Sequence, residues 1–216
     1  MQALDHATYE DLRQGASVLE ADRFGDKVLR LADGNFLKLF RRKRLISSAL
    51  FYPYAQRFAD NARTLRRRGV PCPEIIGVYR VPSIERDVVH YQPLPGQTLR
   101  QLIASDQDKP TLRGDLGALI SAMHNNGIYF RSLHLGNVVE TPEGTLGLID
   151  ISDMRTQARP LGKQQRQRNF RHLLRYAQDR DWLLGDDGAA FVRQYVQGSP
   201  TLWEPDSLTQ LLHQDV

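Results

Sequence analysis

The sequence predicts an α+β protein in which a small antiparallel β portion precedes a mainly helical one. Three observations carry this. Residues 17 to 40 alternate between apolar and polar side chains with turn residues between the runs, the two-residue period of strands. Leu112, Leu116, Leu119, Ile120 and Met123 fall on one face of a helix. Between such helical stretches, Asn137 to Asp150 reads as a hairpin, with a turn at Pro142-Glu143-Gly144 and an apolar strand Leu146–Ile149.

The first strands are Ser17–Glu20, Lys27–Leu31 and Asn35–Phe40, separated by Phe24-Gly25-Asp26 and Asp33-Gly34. Both separators are good turn chemistry, so the three strands form a meander. A helix follows Pro53, because Phe58, Ala62 and Leu65 recur at helical spacing and Gly69 stands where a helix stops. Ile75–Tyr79 and Asp87–Tyr91 give two more strands joined by a turn near Pro82. The boundary between the two portions is expected near Pro93–Pro95, dividing the chain into 1–92 and 93–216. From Thr111 a buried helix runs to a cap at Gly127. Phe170, Leu173, Leu174 and Ala177 predict one helical stripe, and two further helices are expected around Ala189–Val196 and Ser207–Leu212.

Composition narrows the class. The 216 residues are 41% hydrophobic and 25% charged, enough for one globular unit or two lobes. No apolar run approaches the roughly 20 residues that span a bilayer, and the N-terminus lacks a basic region followed by an apolar one, so the expectation is a soluble, cytoplasmic protein. The single cysteine, Cys72, offers neither a disulfide nor a thiolate metal site. Six histidines without a ligand array make zinc improbable. Net charge is +4, and the sequence pI is about 9.3. The excess gathers at Arg41-Arg42-Lys43-Arg44, at Arg66-Arg67-Arg68, and at Arg166, Arg168, Arg171 and Arg175. Such groups attract anionic lipid or a phosphorylated glycan, or are merely solvated faces; without a zinc-finger, RNP or helix-pair signature, nucleic acid is disfavoured as a partner.

The chemistry lies in Ile128 to Arg155. An amide oxygen at Asn137 and a carboxylate at Asp150, at the two ends of a tight hairpin, can share a hard cation; Mg2+ needs only one or two protein oxygens beside substrate phosphates. The run Phe130-Arg131-Ser132, Leu133-His134-Leu135-Gly136-Asn137, then Asp150-Ile151-Ser152-Asp153, resembles the catalytic loop and metal-binding motif of protein-kinase-like enzymes, with the same thirteen-position spacing between Asn and Asp. It is most similar to the bacterial lipopolysaccharide kinase family, which includes heptose and Kdo kinases and toluene-tolerance proteins. The resemblance implies a two-lobed protein-kinase-like fold that binds ATP and Mg2+ between its lobes.

It also implies roles. Lys38, on the third strand, matches the phosphate-gripping lysine; Gly25 lies in the turn over the phosphates; Tyr91 and Gln92 enter the hinge whose backbone meets adenine. Asn137 and Asp150 match the metal ligands, and Asp150, Asn137 and Ser132 occupy the catalytic positions. Two departures stand out. Ser132 replaces the Asp that accepts the hydroxyl proton, and a serine has no useful basicity near neutral pH. Asn61 stands where a helix Glu would pair with Lys38, while Asp60 is turned about 100° away. Asp153 is a substitute carboxylate. His124 and His134 are structural supports of the loop. No long activation segment follows Asp153, which favours a small or glycan acceptor over a peptide. The implied function is phosphate transfer from ATP to a sugar of the lipopolysaccharide core, or another small hydroxyl acceptor, at the cytoplasmic face of the inner membrane, with peripheral contact to anionic lipid. The alternative is a catalytically silent pseudokinase, a nucleotide-binding or scaffold protein of envelope biogenesis.

Overall fold

A computed structural model describes residues 1–42, 52–200 and 202–214. Lys43 and Arg44 of the first basic run lie outside the described residues. Two compact units divide the chain: Met1–Leu94 with Asp150–Asp153, and Pro95–Ile149 with Met154–Val216.

The first unit is built on a sheet. In chain order its strands are β1 (Gln2–Ala3), β2 (Ser17–Asp22), β3 (Gly25–Arg30), β4 (Phe36–Arg41), β5 (Glu74–Val81) and β6 (Arg86–Gln92), arranged β1-β5-β6-β4-β3-β2. The β2–β3–β4 meander stands as predicted, with Val28 opposite Lys38 and Leu29 opposite Leu37. Gly25 at the first turn has φ +109°, a region open to glycine and costly for other residues. The period of β4 decides the layout. Leu37 and Leu39 bury with Leu29, Leu31 and Val88 against Tyr9 of helix α1 (His6–Leu12). Phe36, Lys38 and Phe40 take the opposite face, where Phe40 meets Phe58 of helix α2 (Tyr54–Arg67). Lys38 is thus held on the α2 side of the sheet.

The amphipathic pattern was enough to predict α2, and the helix ends where Gly69 takes φ +70°. Helix α1 and strand β1 were not anticipated. Asp5 caps α1 by accepting from the Thr8 amide at 2.9 Å, and β1 pairs in parallel with β5. Cys72 donates to the Ala62 carbonyl at 3.3 Å, and burial pushes its thiol up to about 11.

The second unit is largely helical. Strands β7 (Gln97–Thr98), β9 (Val138–Glu140) and β10 (Leu146–Leu148) form one small sheet, while β8 (Ile128–Phe130) pairs with β11 (Met154–Thr156). Its helices are α3 (Leu99–Ala104), α4 (Leu112–Asn125), α5 (Lys163–Leu173), α6 (Ala177–Leu184), α7 (Ala189–Gly198) and α8 (Pro205–Gln214). The expected single stripe through Ala177 is divided: α5 ends at Leu173 and Ala177 begins α6. Helices α4 and α7 pack closely at Gly117, where a Cβ would stand 2.3 Å from the Phe191 carbonyl oxygen. Phe170, Tyr195 and Trp203 form the aromatic centre of the core.

The third basic group is not one surface. Arg166 is fully buried, donating to the Leu161 carbonyl, Tyr195 Oη, Ser199 Oγ and Asn125 Oδ1 at 2.9–3.0 Å. It is a core residue, unlike the exposed Arg168.

Candidate functional site

In the β unit, the Lys38 ammonium lies 2.6 Å from Asp150 Oδ1, with the two side chains 15% and 45% exposed. Asp150 has φ +51°. Left-handed backbone costs a non-glycine residue roughly 1–2 kcal/mol, although Asp tolerates it better than most. A part-exposed ion pair is worth about 0–1 kcal/mol. The pair does not by itself repay the backbone conformation, which Glu85, Asp106, Asp186 and Asp187 also adopt.

The turn that carries Asp150 is fixed from below. Ile151 is buried, and its carbonyl accepts from Asn61 Nδ2 at 2.6 Å. Asn61 thus supports the backbone beside Asp150. Asp60 is occupied by Tyr52, Gln56 and Arg63. Asp153 ends the same short turn, partly buried. The Tyr91 ring packs against Phe36 and Phe58 at 5.8 and 5.2 Å, and burial drives its phenol pKa upward. Gln92, exposed, is one residue beyond the last β4–β6 pair, Phe36–Tyr91. Gly25 occupies open space at the β2–β3 turn.

In the helical unit, Ser132 and Asn137 share one loop whose backbone is clamped at successive carbonyls. Arg175 Nη2 donates to the Arg131 carbonyl at 3.0 Å, and Asn137 Nδ2 to the Ser132 carbonyl at 2.8 Å. Since the Asn137 amide nitrogen is committed to Ser132, its Oδ1 is the atom left to accept or ligate. Asn137 O also accepts from the Ile149 amide at 3.0 Å, so the hairpin closes on the residue that precedes Asp150.

Two supports, Asp179 and Asn169, were not legible in the sequence. Asp179, 1% exposed, accepts from the Leu135 amide at 2.9 Å and from Arg100 at 3.0 and 2.8 Å. Asn169 holds Phe130, donating to its carbonyl at 2.6 Å. His124 touches Asn169 Oδ1 and Tyr195 Oη at 3.1 and 2.9 Å, and burial lowers its pKa to about 3. Its structural role is as predicted. His134 stacks edge-on against Tyr176. No local spacing announces Asp179 or Asn169, because each acts on a loop some forty residues away in sequence.

Among the described residues no cluster of three or more His, Cys, Asp or Glu could hold a metal. Within the β unit the part-exposed Asp150 carboxylate is an oxygen donor of the hard kind that Mg2+ takes beside phosphates.

The sequence profile described as the lipopolysaccharide kinase (Kdo/WaaP) family matches residues 10–195. No curated protein matches with significance. Among solved structures, the chain is similar to the bifunctional kinase-methyltransferase WbdD: TM-score 0.45 and 15% identity over 88% of this chain and 41% of that one. For a 2.2 Å crystal structure of WbdD the values are 0.49 and 14%, over 88% and 46%. The chain spans less than half the length of those structures.

Proposed function

The chain belongs to the Kdo/WaaP lipopolysaccharide kinase family, with a protein-kinase-like α+β fold, and from that premise we propose that it transfers the γ-phosphate of ATP to a hydroxyl of a core sugar. The observation that carries this reading is the Lys38–Asp150 pair, with Asp150 in a left-handed conformation one residue beyond the hairpin that starts at Asn137.

Lys38 binds phosphate oxygens, exchanging part of its bond to Asp150 for them. Asn137 and Asp150 would hold Mg2+, which when bound neutralises phosphate charge. Ser132, clamped through its carbonyl by Asn137, orients the acceptor hydroxyl by hydrogen bonding. The hydroxyl oxygen forms the new bond to phosphorus as the bond to the leaving ADP oxygen breaks, and its proton leaves late, to solvent. A loose transition state needs little early deprotonation, so positioning and charge stabilisation supply most of the rate. General-base help, typically 10²–10⁴-fold, is what Ser132 forgoes. The acceptor is a glycan and the site of action cytoplasmic, at the inner membrane. No described helix is long and apolar enough to cross a membrane. Arg41, stacked over Phe24 at 3.9 Å, supports a peripheral contact with anionic lipid.

One observation favours the silent reading instead: Asn61 supports Ile151 and brings no charge to Lys38. Thermal-shift titration separates the two steps. At 100 times its dissociation constant, ATP with Mg2+ stabilises by about 2.7 kcal/mol, or roughly 5–11 °C. Asp150→Ala abolishes the metal-dependent part. Transfer to purified core oligosaccharide rises in Ser132→Asp; a nucleotide shift without transfer in either protein establishes the silent reading, and no shift removes nucleotide binding altogether.

A further inference from the structure

The helical unit contains a concavity of about 500 Å³ lined by Arg131, Arg155 and Arg168 together with Tyr129, Gln157 and Gln165. Its origin is the β8–β11 ribbon. Ile128, Phe130 and Met154 are buried. Tyr129 lies opposite Arg155 across the ladder, and Arg131 continues the Tyr129 side two residues on. One face of the ribbon therefore builds the core while the other presents an aromatic ring and two guanidiniums. The exposed Arg168 of α5 adds the third.

Charge separates this cavity from an ordinary solvated face. No carboxylate lines it, and among the described residues none of its three arginines forms an ion pair. Arg13, Arg80 and Arg100, by contrast, are each paired with a carboxylate, of Asp26, Asp87 and Asp179. Three uncompensated cations sharing one concavity repel each other until an anion enters.

The frame is also fixed. The Gln157 amide donates to the Gly127 carbonyl at 2.9 Å and the Leu161 amide to the His124 carbonyl at 2.8 Å. Gly127 has φ +66°, and a Cβ there would sit 2.4 Å from the carbonyl oxygens of Gln157 and Arg159. The segment is laid directly on the end of α4. Gln165 Nε2 then meets Gln157 Oε1 at 3.3 Å across the wall.

We infer that this cavity is an anion subsite that holds a phosphomonoester already present on the acceptor sugar. The inference deepens and rests on the kinase reading above. Guanidiniums pair with phosphate through paired, charge-assisted hydrogen bonds. The volume lies in the small-molecule range of roughly 300–1,000 Å³, and the Tyr129 ring offers an apolar face to a sugar ring. Arg131 directly precedes Ser132, so an anion gripped there tethers the acceptor beside the loop. Binding energy from a group that does not react is thereby used to orient the one that does.

The test uses the full chain, with mannose 6-phosphate, mannose and inorganic phosphate as calorimetric probes at low salt. The Arg155→Gln/Arg168→Gln double variant changes only exposed side chains and keeps the fold. Mannose 6-phosphate binds wild type more tightly than inorganic phosphate, mannose does not bind, and the double variant loses about 100-fold, roughly tenfold for each charged hydrogen-bonding partner removed. Binding persists in Lys38→Met, which lacks the nucleotide grip. Unchanged affinity in the double variant, or inorganic phosphate binding as tightly as the sugar phosphate, overturns the inference. The ATP and Mg2+ thermal shift is recorded in the same proteins. A lost sugar-phosphate site with the ATP shift intact supports both readings. An arginine-dependent sugar-phosphate site in a chain that ATP never stabilises retains the subsite and discards the kinase.

Discussion

Replacing Asp179 by Ala tests whether one buried carboxylate holds the loop that carries Ser132 and Asn137. The side chain is 1% exposed and takes three hydrogen bonds, one from the Leu135 amide and two from Arg100. Removing one partner of a buried, hydrogen-bonded charge pair costs about 3–5 kcal/mol, and a stranded buried amide about 1–3 kcal/mol. Both costs pass through the same carboxylate, so they do not add. Arg100 is 33% exposed and regains water once released, which sets the expectation at the lower end, about 3 kcal/mol. That is a large part of a typical stability of about 5–15 kcal/mol. Urea denaturation reads it directly: with a slope of about 2–3 kcal/mol/M, the midpoint falls by roughly 1–1.5 M. Asp179→Asn keeps one acceptor and costs less. On the proposed function, the ATP and Mg2+ shift assigned to Lys38 and Asp150 is retained in that milder variant while phosphate transfer drops. A midpoint for Asp179→Ala within about 0.3 M of wild type, under 1 kcal/mol at such a slope, refutes the claim that this carboxylate organises the loop.

Two further outcomes are expected. His124 is held neutral by burial with a pKa near 3, against about 6.5 when unfolded, so the unfolded chain binds the extra proton between those values. Stability is intact above pH 6.5 and falls with acidification, by about 2 kcal/mol between pH 7 and 5. The buried His90, also lowered by burial, acts with the same sign. Urea midpoints across that interval check the slope, which His124→Gln flattens. Gly117→Ala places a methyl 2.3 Å from the Phe191 carbonyl oxygen. The helices must separate, and an overpacking cost of about 1–3 kcal/mol exceeds the roughly 1 kcal/mol gained in helix propensity. Melting temperature falls by a few degrees; a rise shows that the α4–α7 contact is looser than this.

What could be read from the sequence was whatever local periodicity and turn chemistry control. The meander, α2, α4 and the Asn137 hairpin each bury a face whose spacing is visible within one window. Helix α1 escaped although its signals are local: Asp5 precedes Thr8 by three residues, and Tyr9 and Leu12 share a face. The segment is only seven residues long, below what periodicity resolves. The break between α5 and α6 was hidden because Leu173, Leu174 and Ala177 keep an apolar stripe through residues that do not continue the helix. Arg166 was misread as part of a basic surface, since nothing in a run of charges tells which guanidinium the fold encloses. Its partners Asn125, Tyr195 and Ser199 come from other segments. The same holds for Asp179 and Asn169. Residues that contact a ligand sit in recognisable motifs, whereas those that hold the motif in place are defined by tertiary contact.

The choice between an active and a silent site turns on which local costs the fold bears without local return. Asp150 keeps a left-handed backbone beside a part-exposed ion pair too weak to repay it. Asn61 is 7% exposed and gives its amide to the Ile151 carbonyl, so part of a buried polar side chain serves the turn bearing Asp150. Asn61 is needed by that turn whether the site is active or silent, because an apolar residue there would strand the buried Ile151 carbonyl. On the proposed function, the cost at Asp150 is met when Lys38 and Asp150 engage phosphates and a cation. In that proposal Ser132 forgoes an acceleration of about 10²–10⁴-fold, and a slow transfer by a loop held by Asp179, Asn169 and Arg175 is the expected outcome.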